Sequence, residues 1–254
     1  MSTSISTLLT TFNLPLRPSQ ISQWRGAVAE SAGWTENDLF HNHARVEVVP
    51  ETLPPSGKSQ HEISTLAAPA VTLKDRYLYR YPLIQYRVID GRAALFAVGE
   101  GVPALRSWLM NRPDEFIIGK QKGRLLIQGL QEQVHELKVL PQARLYRLMD
   151  YQALNQENYQ RWKAADSLVE RVHLLDQLLN NHLIGLAKGL DWQIQERFEA
   201  RLLNLRKIRT VKTHGSERLA FNLIIKTRLD LPPGIAIGKA VSHGFGTLQP
   251  TREV

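Results

Sequence analysis

The chain contains no cysteine. Disulfides, a cysteine nucleophile and thiolate metal sites are thereby excluded, and the composition fits a reducing compartment. No apolar run approaches the roughly 20 residues of a membrane-spanning helix. The start, Met1 to Thr11, lacks the basic region of a secretory signal. A cytoplasmic protein without membrane contact is expected. The common nucleotide loops are missing as well. Gly238-Lys239 has Pro233 where a P-loop has its first glycine and Ala240 where it has Ser or Thr, and Gly57-Lys58-Ser59 has Thr52 at the first-glycine position. Gly234, Gly238 and Gly244 are too widely spaced for a dinucleotide fingerprint.

Acidic residues are also in short supply. The 254 residues carry 32 Lys/Arg against 24 Asp/Glu, a net charge of +8, which favours a polyanionic partner. The excess is uneven: residues 1–140 hold 15 basic against 13 acidic, and residues 141–254 hold 17 against 11. An apolar fraction of 43% supplies a core for one large domain or two ordinary ones.

Alternation and breakers give the element order. Ile5 to Leu16 reads as a strand. Ser19 is placed to cap a helix from Gln20 to Glu30 with Ile21, Trp24 and Val28 on one face and Gly33 at its end. Asp90-Gly91 predicts a hairpin into the strand Arg92 to Val98, and Pro103 opens a helix to Met110. Strands are predicted over Glu115 to Lys120, Arg124 to Gln128 and Val134 to Val139. This order fits helices on one face of an antiparallel sheet whose other face is free. Pro141 marks a boundary, after which the plan repeats. A strand runs from Arg144 to Gln152 and a helical region from Asn155 to Lys188, with a buried stripe from Val172 to Leu186. A strand follows from Trp192 to Lys212, bulged near Leu202-Leu203. It turns at His214-Gly215 and returns over Arg218 to Arg228. The expected fold class is α+β, with tandem ferredoxin-like (RRM-like) domains at 1–140 and 141–254.

Four stretches carry candidate chemistry. In His41-Asn42-His43 an extended backbone projects both imidazoles to one face, and two imidazoles near neutrality can divide proton transfer between a base and an acid. Adjacent residues cannot reproduce the spread ligands of a metal-dependent HNH nuclease, and no third and fourth zinc ligands stand out. The stretch Lys74 to Val88 alternates Tyr77, Tyr79, Tyr81 and Tyr86 with basic residues. It suits base stacking, with core packing expected for at least half of these residues. The hairpin Arg197 to Arg228 holds nine Lys/Arg against two Asp/Glu, with Arg206, Lys207, Arg209 and Lys212 on one arm. Some of that charge blunts exposed strands; the remainder suits phosphates. Finally, Gly234, Gly238, Gly244 and Gly246 bracket a short helix or loop, read either as a phosphate site with Lys239 or as a tight turn into a last strand from Phe245 to Gln249.

Leu39-Phe40-His41-Asn42-His43, the stretch Tyr79 to Tyr86 followed by Gly99-Glu100-Gly101, and the run from Gly234 to Gly246 ending His-Gly-Phe-Gly together resemble the CRISPR-associated repeat-processing endoribonucleases, the Cas-six family, most closely its b subtype. The resemblance implies metal-independent cleavage of the repeat in precursor CRISPR RNA. The substrate 2′-hydroxyl would be the nucleophile and the products a cyclic phosphate and a 5′-hydroxyl, with no cofactor. It maps the catalytic pair onto His41 and His43. The RNA-binding candidates are Arg76, Tyr79, Arg80, Arg206, Lys207, Arg209, Lys212, Lys239, His243, Gly244 and Gly246. CRISPR effector subunits and a second copy of the chain, as a homodimer, are the protein partners left open. The alternative is an RNA-hairpin-binding protein of a CRISPR complex that does not cleave. A metal-dependent nuclease and a helix-turn-helix DNA regulator fit less well, the latter because no second short helix serves a major groove.

Overall fold

The computed structural model describes residues 3–33, 38–41, 43–48, 72–77, 80–119, 121–213 and 215–253, with the backbone alone for 43–48, 72–77, 121 and 213. The first elements are β1 (Thr3–Pro15), α1 (Ile21–Ser31), β2 (His43–Val48), β3 (Thr72–Tyr77), β4 (Ile84–Ile89), β5 (Arg92–Val98) and α2 (Gly101–Asn111). They are followed by β6 (Glu115–Ile118), β7 (Gln121–Arg124), β8 (Ile127–Tyr151), α3 (Gln156–Ala164), α4 (Leu168–Gly189), β9 (Ala200–Thr213), β10 (Ser216–Asp230) and β11 (Thr247–Thr251). Among the described residues no helix is long and apolar enough to cross a membrane.

One sheet has the order β4-β5-β1-β8-β10-β9, with β11 on β8 opposite β10. Taken in two halves, the order β4-β5-β1-β8 and the order β9-β10-β8-β11 are each 2-3-1-4 in their own chain sequence. That is the ferredoxin-like arrangement, repeated, with β8 closing the first unit and opening the second. In the second unit the glycine-rich segment stands where the second helix would otherwise be.

The long β8 replaces the two strands expected on either side of Pro141. Its first part pairs with β1, from Thr3↔Leu137 to Phe12↔Ile127, and its second with β10 and β11. Pro141 has no N–H to give a ladder. It falls in an irregularity where the register jumps from Thr227↔Arg144 to Leu229↔Val139, and Arg228 Nε donates to the Leu140 carbonyl there at 2.6 Å.

Two cores follow. Leu8, Phe12, Trp24, Val28, Leu105 and Trp108 fill the space between the first sheet and α1 and α2, with Phe12 edge-on to Trp24 at 5.5 Å. Leu175, Leu179, Leu183 and Leu186 of α4 pack on Phe221, Leu223 and Ile225 of β10. Ile5, Phe96 and Val98 join this second core, so the far face of the first sheet is partly covered and not free as expected. Tyr81 packs against the second core and Tyr86 is fully buried in the first, which removes both as stacking platforms.

Other local corrections have local causes. Ser19 does not cap α1; it lies in a 3-10 turn, Pro18–Gln20, where Gln20 Oε1 accepts from the Arg17 N–H at 3.0 Å. The helical region breaks after α3 because Ser167 caps α4, accepting from the Glu170 N–H at 3.2 Å, while Glu170 accepts from the Asp166 N–H. The strand expected from Trp192 begins only at Ala200. Trp192 instead folds back to donate its N–H to the Ala187 carbonyl and buries its ring in the second core. The strand expected over Arg124 to Gln128 is split between the end of β7 and the start of β8. The bulge expected near Leu202-Leu203 is present: Leu203 and Arg206 are the two extra residues of β9 against β10. The turn residue His214 and the polar run Gly57-Lys58-Ser59 lie outside the described residues.

Candidate active site

Residues 38–41 form a turn between α1 and β2, and three side chains from elsewhere hold it. Arg80 pairs with the Asp38 carboxylate at 2.8 Å. The Tyr86 hydroxyl donates to the Phe40 carbonyl at 2.8 Å, and Arg25 Nη2 donates to the His41 carbonyl at 2.7 Å. Phe40 itself is buried beside the Trp108 ring, 6.2 Å between centroids. Burial pushes the Tyr86 hydroxyl up, so it stays a donor at any physiological pH. His41 is half-buried, with its carbonyl tied to Arg25. It ends a turn instead of standing in a strand, so the strand alternation expected to align it with His43 does not apply. His43 opens β2 opposite Tyr77; Asn42 lies outside the described residues.

The glycine-rich segment packs on both halves of the sheet. A Cβ on Gly244 would sit 2.9 Å from the Tyr86 carbonyl, one on Gly238 2.7 Å from the Tyr151 ring, and one on Gly246 1.8 Å from the Ile237 carbonyl. All four glycines have φ between 72° and 95°. Close approach and left-handed backbone thus require them, as the tight-turn reading held. The helical piece, Val241–His243, is a single 3-10 turn. The last strand is β11, beginning at Thr247. Tyr86 therefore links the two candidate regions: its hydroxyl holds the histidine turn while its own carbonyl supports Gly244.

Arg87, one residue on, falls in the aromatic and basic stretch Lys74 to Val88, where alternation with a core-facing Tyr86 points it to solvent. It is buried because the loop covers its side of β4. Its guanidinium lies 4.0 Å from the Phe96 ring centre and donates to the Gly234 carbonyl and to Gln85 Oε1. Desolvation lowers its pKa to about 10, which leaves it charged at neutral pH. Arg87, His243 and Gly244 line a cavity of about 440 Å³ together with Arg209 and Asp150. That volume is in the range of small-ligand sites, ~300–1,000 Å³. Arg209 makes a two-point ion pair with Asp150, at 2.7 and 2.6 Å. His243 is buried, its Nδ1 3.1 Å from Ser242 Oγ.

The structure thus brings Arg209, His243 and Gly244 to one cavity and sets Gly246 beside it, its N–H on the Asp150 carbonyl at 3.3 Å. Arg206, Lys207 and Lys212 are exposed along β9, Lys212 opposite Glu217 and nearest the hairpin end. Lys239 does not line the cavity; its N–H binds the Gln152 carbonyl at 2.9 Å, and burial followed by Arg218 lowers its pKa. Arg76 stands in β3 opposite Ala44, and Tyr79 lies outside the described residues. Asp150 has no signal in the sequence, and Tyr86, a stacking candidate there, holds the histidine turn instead, with Arg25. The place of Arg25 on α1 is one turn from Ile21 and beside Trp24, and the stretch Lys74 to Val88 marks Tyr86 and Arg87, but their roles come from contacts remote in sequence.

Comparisons with known proteins agree with this architecture. A family model for the Cas6b N-terminal domain matches residues 72–136, and one for the Cas6b C-terminal domain matches residues 138–251. The two matches meet inside β8. A crystal structure of Cas6b aligns over 98% of this chain and 100% of its own, with a TM-score of 0.76 at 20% identity. A structure described as a CRISPR RNA processing endoribonuclease, Cas6b, aligns over the same shares with a TM-score of 0.67 at 19% identity. At such identities these likenesses show the fold, the tandem ferredoxin-like one. An uncharacterized protein of Methanocaldococcus jannaschii is 30% identical over 96 residues, 38% of this chain and 64% of that protein, so the chain spans just under two thirds of that relative's length. With both domain models matched in order along one sheet, the chain belongs to the Cas6b family.

Proposed function

We propose that the protein is a metal-independent endoribonuclease that cleaves the repeat of precursor CRISPR RNA in the cytoplasm. Residues 1–140 supply the histidine pair, and residues 141–254 supply the basic hairpin and the glycine-rich loop. The observation that carries this reading is the Tyr86 link: one residue of β4 holds the turn of His41 through its hydroxyl and meets Gly244 of the loop at its carbonyl. In the proposed reaction one of His41 and His43 takes the proton of a 2′-hydroxyl. The 2′-oxygen bonds to the adjacent phosphorus and the bond from phosphorus to the 5′-oxygen breaks. The other imidazole delivers a proton to the leaving oxygen, giving a cyclic phosphate and a 5′-hydroxyl. Lys239, or an arginine near the histidines, stabilises the charge on the phosphorane.

The test is incubation with repeat RNA in EDTA. Cleavage is expected, and a 2′-deoxy substitution at the scissile nucleotide is expected to abolish it. Loss of activity in EDTA would point to a metal-dependent nuclease. Tight binding without cleavage, unaffected by His41→Ala and His43→Ala, would assign the non-cleaving alternative.

In the same reading the exposed arm of β9 meets RNA phosphates. Lys207→Ala and Lys212→Ala are each expected to weaken repeat binding and to reduce the slope of log affinity against log salt by about one unit. Titrations at several salt concentrations check this, and an unchanged slope in both variants would remove the hairpin from the interface.

A further inference from the structure

A buried pair of titratable rings, Tyr151 and His182, plays no part in the chemistry above. Tyr151 ends β8 with no exposed surface. Its hydroxyl oxygen lies 2.6 Å from His182 Nδ1 on α4, and the two rings meet edge-on at 5.6 Å. Burial, with a smaller contribution from the Lys239 charge, lowers the His182 pKa to about 4, and burial raises that of Tyr151. Both are neutral near pH 7. The buried hydroxyl therefore donates to Nδ1, and Nε2 carries the ring proton.

The same tyrosine ring supports the glycine-rich loop. A Cβ on Gly238 would lie 2.7 Å from Tyr151 Cε2 and 2.8 Å from Cδ2, so the loop backbone rests directly on the ring. The next residue, Lys239, bridges to Gln152, the residue after Tyr151. Tilting the Tyr151 ring would displace Gly238 and Lys239 together. The hydrogen bond to His182 ties the hydroxyl end of the ring to α4. Lys239 itself is half-buried, and the charged side chain that depresses its pKa is Arg218, another cation. An anion is the neighbour that would relieve both.

We propose that His182 and Tyr151 are positioning residues that hold Lys239 against a phosphate of the RNA backbone. This rests on Lys239 being an RNA contact in the function proposed above.

The test is a double-mutant cycle on binding of repeat RNA transcribed from the source organism's CRISPR array. Lys239→Gln and His182→Leu are each expected to weaken binding about tenfold, and the double variant no more than either alone, because both remove the same contact. His182→Asn keeps an acceptor near Nδ1 and is expected to restore most of the loss. Tyr151→Phe keeps the ring and the fold and is expected to behave as His182→Leu does. Additive losses, or wild-type affinity in both His182→Leu and Tyr151→Phe, would overturn the proposal. A second readout needs no RNA: the titration of the Lys239 amine, followed by NMR after isotopic methylation, is expected to move in Tyr151→Phe. If it stays put, the positioning role fails. If it moves while Lys239→Gln binds RNA normally, the assignment of Lys239 to RNA is what fails.

Discussion

His41→Ala is expected to lower the single-turnover rate of repeat cleavage by about 10²–10⁴-fold, the usual contribution of a positioned acid or base. The affinity for the repeat is expected to stay within about threefold, since the imidazole is one contact among many cations. Stability should change by less than about 0.5 kcal/mol. The reason lies in how the turn is held. Three side chains tie it through a carbonyl or Asp38: Arg25 on the His41 carbonyl, Tyr86 on the Phe40 carbonyl and Arg80 on Asp38. Alanine leaves all three in place. A fall in rate without a fall in melting temperature therefore reads chemistry, not folding. Wild-type cleavage by the variant would remove His41 from the reaction and with it the main support for the proposed mechanism.

Gly246→Ala is expected to be the most damaging of the glycine substitutions, at about 3–5 kcal/mol. Two costs combine. The residue sits at φ 72°, a backbone region that alanine enters at a penalty. Its new methyl would also collide with the Ile237 carbonyl, a backbone atom that has no rotamer to escape into. Relief requires moving one strand of the loop. That breaks the bond from the Ile237 N–H to the Gly246 carbonyl, 2.9 Å, and the bond from the Gly246 N–H to Asp150. Because Ile237 is fully buried in the second core, the displacement reaches the packing beneath. For a chain of this size the melting temperature should fall by about 10 °C. Gly185→Ala is the matched control: it lies in α4 with open space around it, and alanine there should be neutral or stabilising by up to about 1 kcal/mol. Thermal and urea unfolding of the two variants check the contrast. Similar stabilities would mean that the loop yields at little cost.

The sequence by itself determined features that depend on a residue and its near neighbours. Asp90-Gly91 makes its turn with both residues at positive φ, 48° and 72°, as that pair demands. Asn155 caps α3 by accepting from the Asn158 N–H at 2.7 Å, and the parity flip in β9 became a bulge. The stripe on α4 found the core because helical spacing carries its own face. Three short passages in order also sufficed to suggest the family. Tertiary structure decided whatever depends on a second neighbour. Alternation marks one buried face per strand, the one with Tyr86 and Leu95, so neither Arg87 nor Phe96 on the other face is foreseen as covered; a loop some 140 residues away covers them. Pro141 reads as a break, yet β8 continues through it, because its pairing passes from β1 to β10 and the missing donor falls in the register irregularity there. His243, a contact candidate in the sequence, is buried while lining the cavity, and Tyr86, a stacking candidate there, holds the histidine turn with Arg25. Local sequence encodes dihedral preference and a single period. Which side chains meet across the sheet is set by register and topology, and these exist only once the chain has closed on itself.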